Sequence, residues 1–220
     1  MSRSSFVRDD VAEYAENHST QPDEVQRALI AATHEKADAF AGMQIGPDQG
    51  AFMSVLVAML QPTFAVEVGT FTGYSSLCIA RGLAPGGTLL CCDISDEWTS
   101  IGREHWEMAG VADRIDLVLA PALETLQALP AEESIDFAFI DADKTGYRAY
   151  YEEILPRLAP DGVILFDNTL WFAQVLPDSG ADDDDTQALR ALNDFLITDD
   201  RVDVAQLTLG DGITMVRRRG

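Results

Sequence analysis

The sequence predicts an α/β domain: a doubly wound, mostly parallel sheet with helices on both faces and a reversed strand at its end. Three observations carry this. From residue 62 onward, short apolar runs alternate with amphipathic stretches, and continuous apolar strands separated by helices are the mark of a parallel sheet covered on both faces. The first 60 residues read as helical. The last two apolar runs are separated only by Leu209, Gly210 and Asp211, too short for a crossover, so they must form an antiparallel hairpin.

Taken in order, the helical start comprises Asp10 to Glu16, Asp23 to Phe40 and Asp48 to Leu60. Pro22 followed by Asp23 and Glu24 puts acids in a first turn, as the helix dipole prefers. Gly46 and Pro47 break the chain before the third helix. The expected strands are Phe64–Val68, Thr88–Asp93, Ile115–Leu119, Ile135–Ile140, Val163–Asp167, Val202–Thr208 and Gly212–Arg217. Between them, helices are expected over Gly73–Gly82, Thr99–Ala109, Leu123–Leu129, Tyr147–Leu158 and Thr186–Thr198. Pro177 to Asp185 is polar and crowded with like charges, and reads as a mobile loop or a solvated helix start.

Composition bounds the function. The chain has 220 residues, with 37 Asp plus Glu against 15 Lys plus Arg, a net of −22. A field of that sign repels polyanions, which argues against a nucleic-acid binder or a binder of acidic membranes. Cys78, Cys91 and Cys92 form no CxxC pair and sit in apolar surroundings, so buried reduced thiols are expected rather than disulfides or a zinc site. The start MSRSSFVRDD shows no apolar stretch after its arginines, and the apolar block from Ala51 to Leu60 is too short to span a bilayer. A soluble cytoplasmic protein is expected.

In open α/β sheets ligands bind beyond the carboxyl ends of the strands. Here those ends carry Glu67, Asp93, Asp141 and Asp167. A buried carboxylate needs a partner, so four acids converging on one edge point to a functional cleft. The first loop, Gly69-Thr70-Phe71-Thr72-Gly73, opens a helix and suits a nucleotide-like ligand. Phe71 stands where a dinucleotide fingerprint wants glycine, which disfavours a nicotinamide or flavin oxidoreductase. Asp93 is placed to hold ribose hydroxyls. A ligand with adenosine but no pyrophosphate fits, and S-adenosylmethionine is one. Glu67 would meet its cationic amino-acid end, or else brace the turn as a satisfied carboxylate.

Asp141, Asp167 and Asn168 offer three oxygen-bearing side chains with no His or Cys among them, a set that suits a hard divalent cation such as Mg²⁺. A substrate with two adjacent hydroxyls would chelate it. Lys144 is one of two lysines in the chain, the other being Lys36. A lysine desolvated beside a cation acts as a base; the alternative is a surface lysine paired with Asp143. Trp171 and Phe172 would wall an aromatic ring or cap the core.

The ordered motifs Met43-Gln44-Ile45-Gly46-Pro47-Asp48-Gln49-Gly50, Glu67-Val68-Gly69-Thr70-Phe71-Thr72-Gly73-Tyr74-Ser75, Ile140-Asp141-Ala142-Asp143-Lys144, Asp167-Asn168-Thr169-Leu170-Trp171 and Gly210-Asp211-Gly212 resemble the cation-dependent class I S-adenosylmethionine O-methyltransferases. That group contains the caffeoyl-CoA and catechol O-methyltransferases. The resemblance runs from about Met43 to Arg218, so a methyltransferase domain of residues 43–220 after an N-terminal helical extension of residues 1–42 is expected. It implies a Rossmann-like seven-stranded sheet with an antiparallel last strand, and commonly a homodimer. It implies that Asp141, Asp167 and Asn168 bind the cation, with Mg²⁺ expected and Mn²⁺ or Ca²⁺ as alternatives, and that Lys144 is the catalytic lysine. For the methyl donor it points to Ile45, Glu67, Gly69, Thr70, Ser75, Asp93, Ala122, Asp143 and Tyr150. For the acceptor it points to Asp141, Lys144, Asn168 and Trp171. Phe172 and Ala173 depart from the glycines that many relatives carry after the tryptophan.

Within that family, a tRNA-modifying enzyme or one acting on coenzyme A esters is the rival reading, and Arg217, Arg218 and Arg219 form a local basic end. Such polyanionic acceptors want a basic surface, which this chain offers little of. The expected acceptor is a small, free, vicinal-dihydroxy aromatic, with no nucleic-acid or membrane partner. A non-catalytic binding protein on the same fold would need Asp141, Lys144, Asp167 and Asn168 to serve no chemistry.

Overall fold

Each central strand of the sheet is apolar on both faces because a layer of helices covers each. The computed structural model describes residues 6–132 and 134–219. In chain order it runs α1 (Asp9–Asn17), α2 (Glu24–Ala37), α3 (Pro47–Leu60), β1 (Phe64–Val68), α4 (Tyr74–Gly82), β2 (Thr88–Asp93), α5 (Asp96–Met108), β3 (Ile115–Leu119), α6 (Ala122–Ala128), β4 (Ile135–Ile140), α7 (Tyr147–Ile154), β5 (Leu158–Phe166), α8 (Asp184–Leu196), β6 (Val202–Leu207) and β7 (Ile213–Arg218). The sheet has seven strands in the order β3-β2-β1-β4-β5-β7-β6. The β1–β2, β1–β4, β2–β3 and β4–β5 pairs are parallel. Strand β7 runs antiparallel to both β5 and β6. The reversed strand is therefore the last one, inserted between its hairpin partner and the parallel sheet.

Alternate residues of each strand feed opposite cores. Ala65, Leu89, Cys91, Phe137, Phe139 and Leu165 join Leu29 of α2, Met53 of α3 and Leu77 of α4. Val66, Val68, Ala138, Ile140, Ile164 and Phe166 join Tyr147, Tyr151 and Ile154 of α7 and Leu189 of α8. The N-terminal helices belong to this packing: Leu29 is fully buried in the first core, and α2 lies against α4 and α5.

The helix starts follow local chemistry. Asp23 and Gln26 form a reciprocal capping box on α2. Ser95 accepts from the Trp98 N–H and moves the start of α5 ahead of the expected Thr99. Asp183 accepts from the Thr186 N–H, so the acidic run ends as the start of α8, with acids in the first turn where the dipole favours them. Helix α7 ends at Ile154, short of the expected Leu158, and a 3-10 turn over Leu155–Arg157 follows, because Pro156 has no N–H to continue the helix. Among the described residues no helix is long and apolar enough to cross a membrane.

Candidate functional site

The carboxyl ends of β1, β4 and β5 open onto a cavity of about 790 Å³. Backbone bonds continue the sheet just past the strands and hold the site residues in line. The Gly69 N–H donates to the Cys92 carbonyl at 2.9 Å, the Asp141 N–H to Val68 at 2.8 Å and the Asp167 N–H to Ile140 at 3.0 Å. Gly69 has φ +89°, and any Cβ there would run into the Asp141 carbonyl. Glycine is thus required where β1 passes β4. Phe71 adopts φ +51°, the left-handed backbone a glycine would take more readily, and sits on the cavity wall.

Ile45, Gly69, Thr70, Ser75, Asp141, Asp143, Lys144, Asp167, Asn168 and Trp171 all line this cavity. Glu67, Asp93 and Tyr150 adjoin it without lining it, and Ala122 is not among its lining residues. Asp93 accepts the Thr70 and Phe71 N–H groups on Oδ2 at 2.9 and 2.8 Å, and the Ile94 and Ser95 N–H groups on Oδ1 at 2.7 and 2.8 Å. It thereby fixes the glycine loop. The Tyr150 hydroxyl donates to Asp143 Oδ1 at 2.6 Å. Ala122 is the first residue of α6.

Glu67 is fully buried beneath the loop. One oxygen accepts from Ser76 and, at 3.3 Å, from the Cys91 thiol. The other, Oε1, is buried without a partner, as is Thr70 Oγ1. Burial pushes the Glu67 carboxyl up to about 7. Glu67 thus braces the turn on one oxygen, and the Ser75 and Thr70 hydroxyls face the same carboxyl.

The floor of the cavity is polar. Lys144 is 7% exposed, and its Nζ donates to Asp141 Oδ1 at 3.1 Å, Asn168 Oδ1 at 2.7 Å and the Tyr147 hydroxyl at 2.7 Å. The expected alternative, a surface lysine paired with Asp143, does not occur. Tyr147 OH in turn donates to the Asp167 carbonyl at 3.1 Å. Asp167 Oδ2 accepts from Gln49 Nε2 at 2.7 Å, and Oδ1 from the Asn168 N–H at 2.7 Å. Burial, then the charge of Asp141, pushes the Asp167 carboxyl well above the usual carboxylate range.

Among the described residues no three His, Cys, Asp or Glu side chains group as a metal site. A cation here would have two carboxylates and the Asn168 amide oxygen to bind. The donors are all oxygens, the chemistry that a hard cation takes. A positive group, the Lys144 ammonium, already bridges Asp141 and Asn168.

The acceptor side is aromatic. Trp171 packs partly against the second core while its ring lies 5.6 Å from Lys144 Nζ. Phe172 is 60% exposed at the cavity wall, so it does not cap the core. Trp171, Phe172 and Ala173 take φ of +47°, +51° and +65° in succession, each costing on the order of 1–2 kcal/mol for a residue with a Cβ.

Several contributors were invisible to sequence reasoning. Thr33 of α2 donates to Thr72 Oγ1 at 2.8 Å and accepts from Gln44 Nε2 at 2.9 Å, tying the segment before α3 to the glycine loop. Gln49 lay within a recognised motif, but nothing local assigned it to Asp167. Arg190 of α8 reaches the carbonyls of Gln174, Val175, Leu176 and Ala181 at 2.7–3.1 Å, organising the loop beyond the aromatic wall.

This geometry agrees with three comparisons. The family model for O-methyltransferases matches residues 16–219. A probable caffeoyl-CoA O-methyltransferase 2 of Dictyostelium discoideum is 36% identical over 94% of this chain and 91% of its own length. Tricin synthase 1 of Oryza sativa subsp. japonica is 40% identical over 80% of this chain and 75% of its own. The O-methyltransferase from Bacillus cereus, solved in complex with SAH, superposes with a TM-score of 0.85 at 29% identity, covering 96% of this chain and 97% of that one. The chain belongs to the class I S-adenosylmethionine-dependent O-methyltransferase family.

Proposed function

We propose that this protein is a metal-dependent O-methyltransferase that moves a methyl group from S-adenosylmethionine to one hydroxyl of a small vicinal-dihydroxy aromatic. The observation that carries the reading is Lys144, buried at the cavity floor and bonded to both Asp141 and Asn168. Asp141, Asp167 and Asn168 would hold the divalent cation, Mg²⁺ first among candidates. When bound, such a cation supplies Lewis acidity that makes a hydroxyl easier to ionise.

The chain's own residues do the rest. Lys144 Nζ, as general base, gives one ammonium proton to solvent and then takes the hydroxyl proton, so that the resulting oxyanion attacks the sulfonium methyl and S-adenosylhomocysteine leaves. Tyr147 and Asn168 hold that nitrogen in place. Ile45, Gly69, Thr70, Ser75 and Asp143 receive the donor from the cavity wall, with Asp93 and Tyr150 fixing the groups they bond. Glu67 and Thr70 offer oxygens beneath its cationic amino-acid end, and Ala122 belongs to the donor set only through the family resemblance. Trp171 and Phe172 wall the acceptor ring. Much of the acceleration comes from presenting the two reactants in line.

Charge supports a small acceptor over a coenzyme A ester. Lys144 is the only Lys or Arg among the described residues that line the cavity, whereas Asp9, Asp185 and Asp211 all do. The Arg217 and Arg219 side chains both pair with Asp203, which offsets part of the charge of the basic end. A homodimer is the assembly we propose from the family resemblance, to be measured by sedimentation.

The test is a screen of catechols, hydroxycinnamates and their coenzyme A esters with labelled donor and Mg²⁺, with and without chelator. Turnover of a free catechol that chelator abolishes is expected, and Asp141→Ala should lose it. Full activity of Asp141→Ala in chelator refutes the mechanism.

A further inference from the structure

The turn between β6 and β7 packs backbone against backbone on the segment that carries the aromatic wall. The Thr169 N–H donates to the Gly212 carbonyl at 3.0 Å, and the Leu170 N–H to the Asp211 carbonyl at 3.1 Å. A Cβ on Gly212, which has φ +94°, would approach the Leu170 nitrogen to 2.7 Å. Two side chains reach across this contact: the Thr169 hydroxyl donates to the Gly212 carbonyl at 3.1 Å, and the Asp211 carboxylate meets the strained segment. Asp211, 6% exposed, accepts the Phe172 N–H on Oδ1 at 2.6 Å.

That bond falls in the middle of the three consecutive left-handed residues. L-residues do not hold such a backbone unaided, because Cβ crowds the following carbonyl, and a strained segment persists only where its surroundings over-determine it. The neighbouring amides are restrained by the segment's own carbonyls: Trp171 N–H by Asn168 at 3.1 Å and Gln174 N–H by Trp171 at 2.8 Å. Phe172 is held from outside. We propose that Asp211 is a positioning residue that sets acceptor specificity. Its Oδ1 clamps the Phe172 amide, and so fixes Trp171 over Lys144 and Phe172 at the cavity wall. The inference rests on the reading above that an aromatic acceptor enters between that wall and Lys144.

The carboxylate acts here as a hydrogen-bond acceptor, not as a charge. Its second oxygen, Oδ2, is buried without a partner, so an amide nitrogen in that place breaks no bond. Asp211→Asn therefore keeps the clamp and Asp211→Ala loses it. In Asp211→Ala the acceptor KM should rise about tenfold, the loss expected for one buried hydrogen bond, with kcat within about threefold and the S-adenosylmethionine Kd unchanged. Asp211→Asn should stay within about threefold of wild type on every parameter. Equal losses in the two variants, or an unchanged acceptor KM in Asp211→Ala, overturn the proposal.

Hydrogen exchange of the Phe172 amide supplies a readout that needs no acceptor. Slow exchange in wild type and Asp211→Asn, and fast exchange in Asp211→Ala, is expected. Fast exchange in wild type overturns the clamp even where catechols are turned over, and stands should the alanine variant not fold. Slow exchange in a wild-type protein that methylates no vicinal diol supports the clamp and overturns the functional reading alone.

Discussion

Binding of S-adenosylmethionine to this protein should expel a proton below pH 7, and Glu67 is the group that releases it. In the free protein Glu67 is fully buried and burial raises its carboxyl from 4.5 to about 7. At pH 6 about nine in ten molecules then carry the proton, and at pH 8 about one in ten. A cationic amino group placed against Oε1 favours the ionised form. Donor binding should therefore release about 0.9 proton at pH 6 and about 0.1 at pH 8. The same linkage weakens donor affinity about tenfold at pH 6 relative to pH 8, about 1.4 kcal/mol. Titration calorimetry in two buffers of different ionisation enthalpy, at both pH values, measures the proton count. Glu67→Gln is the control, since an amide cannot titrate. No proton release by wild type at pH 6, or the same release by Glu67→Gln, refutes the argument. Stability carries a matching signature. Because the folded state holds the proton to higher pH than the unfolded chain, the cost of burying Glu67 is absent below about pH 4.5, grows from there to pH 7 and is complete above it, on the order of 3 kcal/mol.

Three further outcomes are expected. Arg190→Ala should release the loop from Gln174 to Ala181, raising its hydrogen exchange and the acceptor KM while leaving donor affinity unchanged; loss of these bonds should cost about 2 kcal/mol by denaturant titration. Asp199→Asn should destabilise by a similar amount at pH 7, because Asp199 accepts from Arg201 Nη2 at 2.6 Å and Tyr151 OH at 2.7 Å. The Arg201 bonds hold its carboxyl well below the usual carboxylate range, so this stabilisation is present above about pH 4 and fades as pH falls through the folded value; a gap between variant and wild type that widens in acid contradicts it. Gly69→Ala should lose donor binding and drop the Tm by about 5–10 °C, as a clash with strand β4 costing about 2–4 kcal/mol implies for a chain of this size.

What the sequence made legible follows from which interactions are local. Strands β1 to β4 lie at the expected residues because each is an apolar run bounded by polar or turn residues. Strand β5 begins at Leu158, five residues before the expected Val163, since Ala159-Pro160-Asp161-Gly162 reads as a turn. Its early start pairs with β4 across a register shift between Ile135 and Phe137, which no local pattern announces. The acids at the strand ends were readable because parallel strands present their carboxyl ends to one edge. The residues that aim those acids were not. Gln49 meets Asp167 across 118 positions, Thr33 meets Thr72 across 39, and Phe172 meets Asp211 across 39. None of these partners is near enough in sequence for a local pattern to announce it.

The basic residues are mostly spent locally: Arg8 on Asp10, Arg103 on Asp96, Arg157 on Glu153, Arg201 on Asp199 and Glu152. Apart from Arg201–Asp199, whose carboxylate is buried, exposed pairs of this kind contribute little each, and all of them leave fewer cations free to attract a polyanion. Lys144 is the exception, because it is buried and its partners include an amide and a phenol as well as a carboxylate. A buried ammonium is tolerable only where several acceptors compensate its desolvation. Asp141 and Asn168 supply that compensation in the free protein, and they are the same oxygens that would bind a cation. The Lys144 ammonium thus occupies, in the free protein, the oxygens that the proposed cation would need.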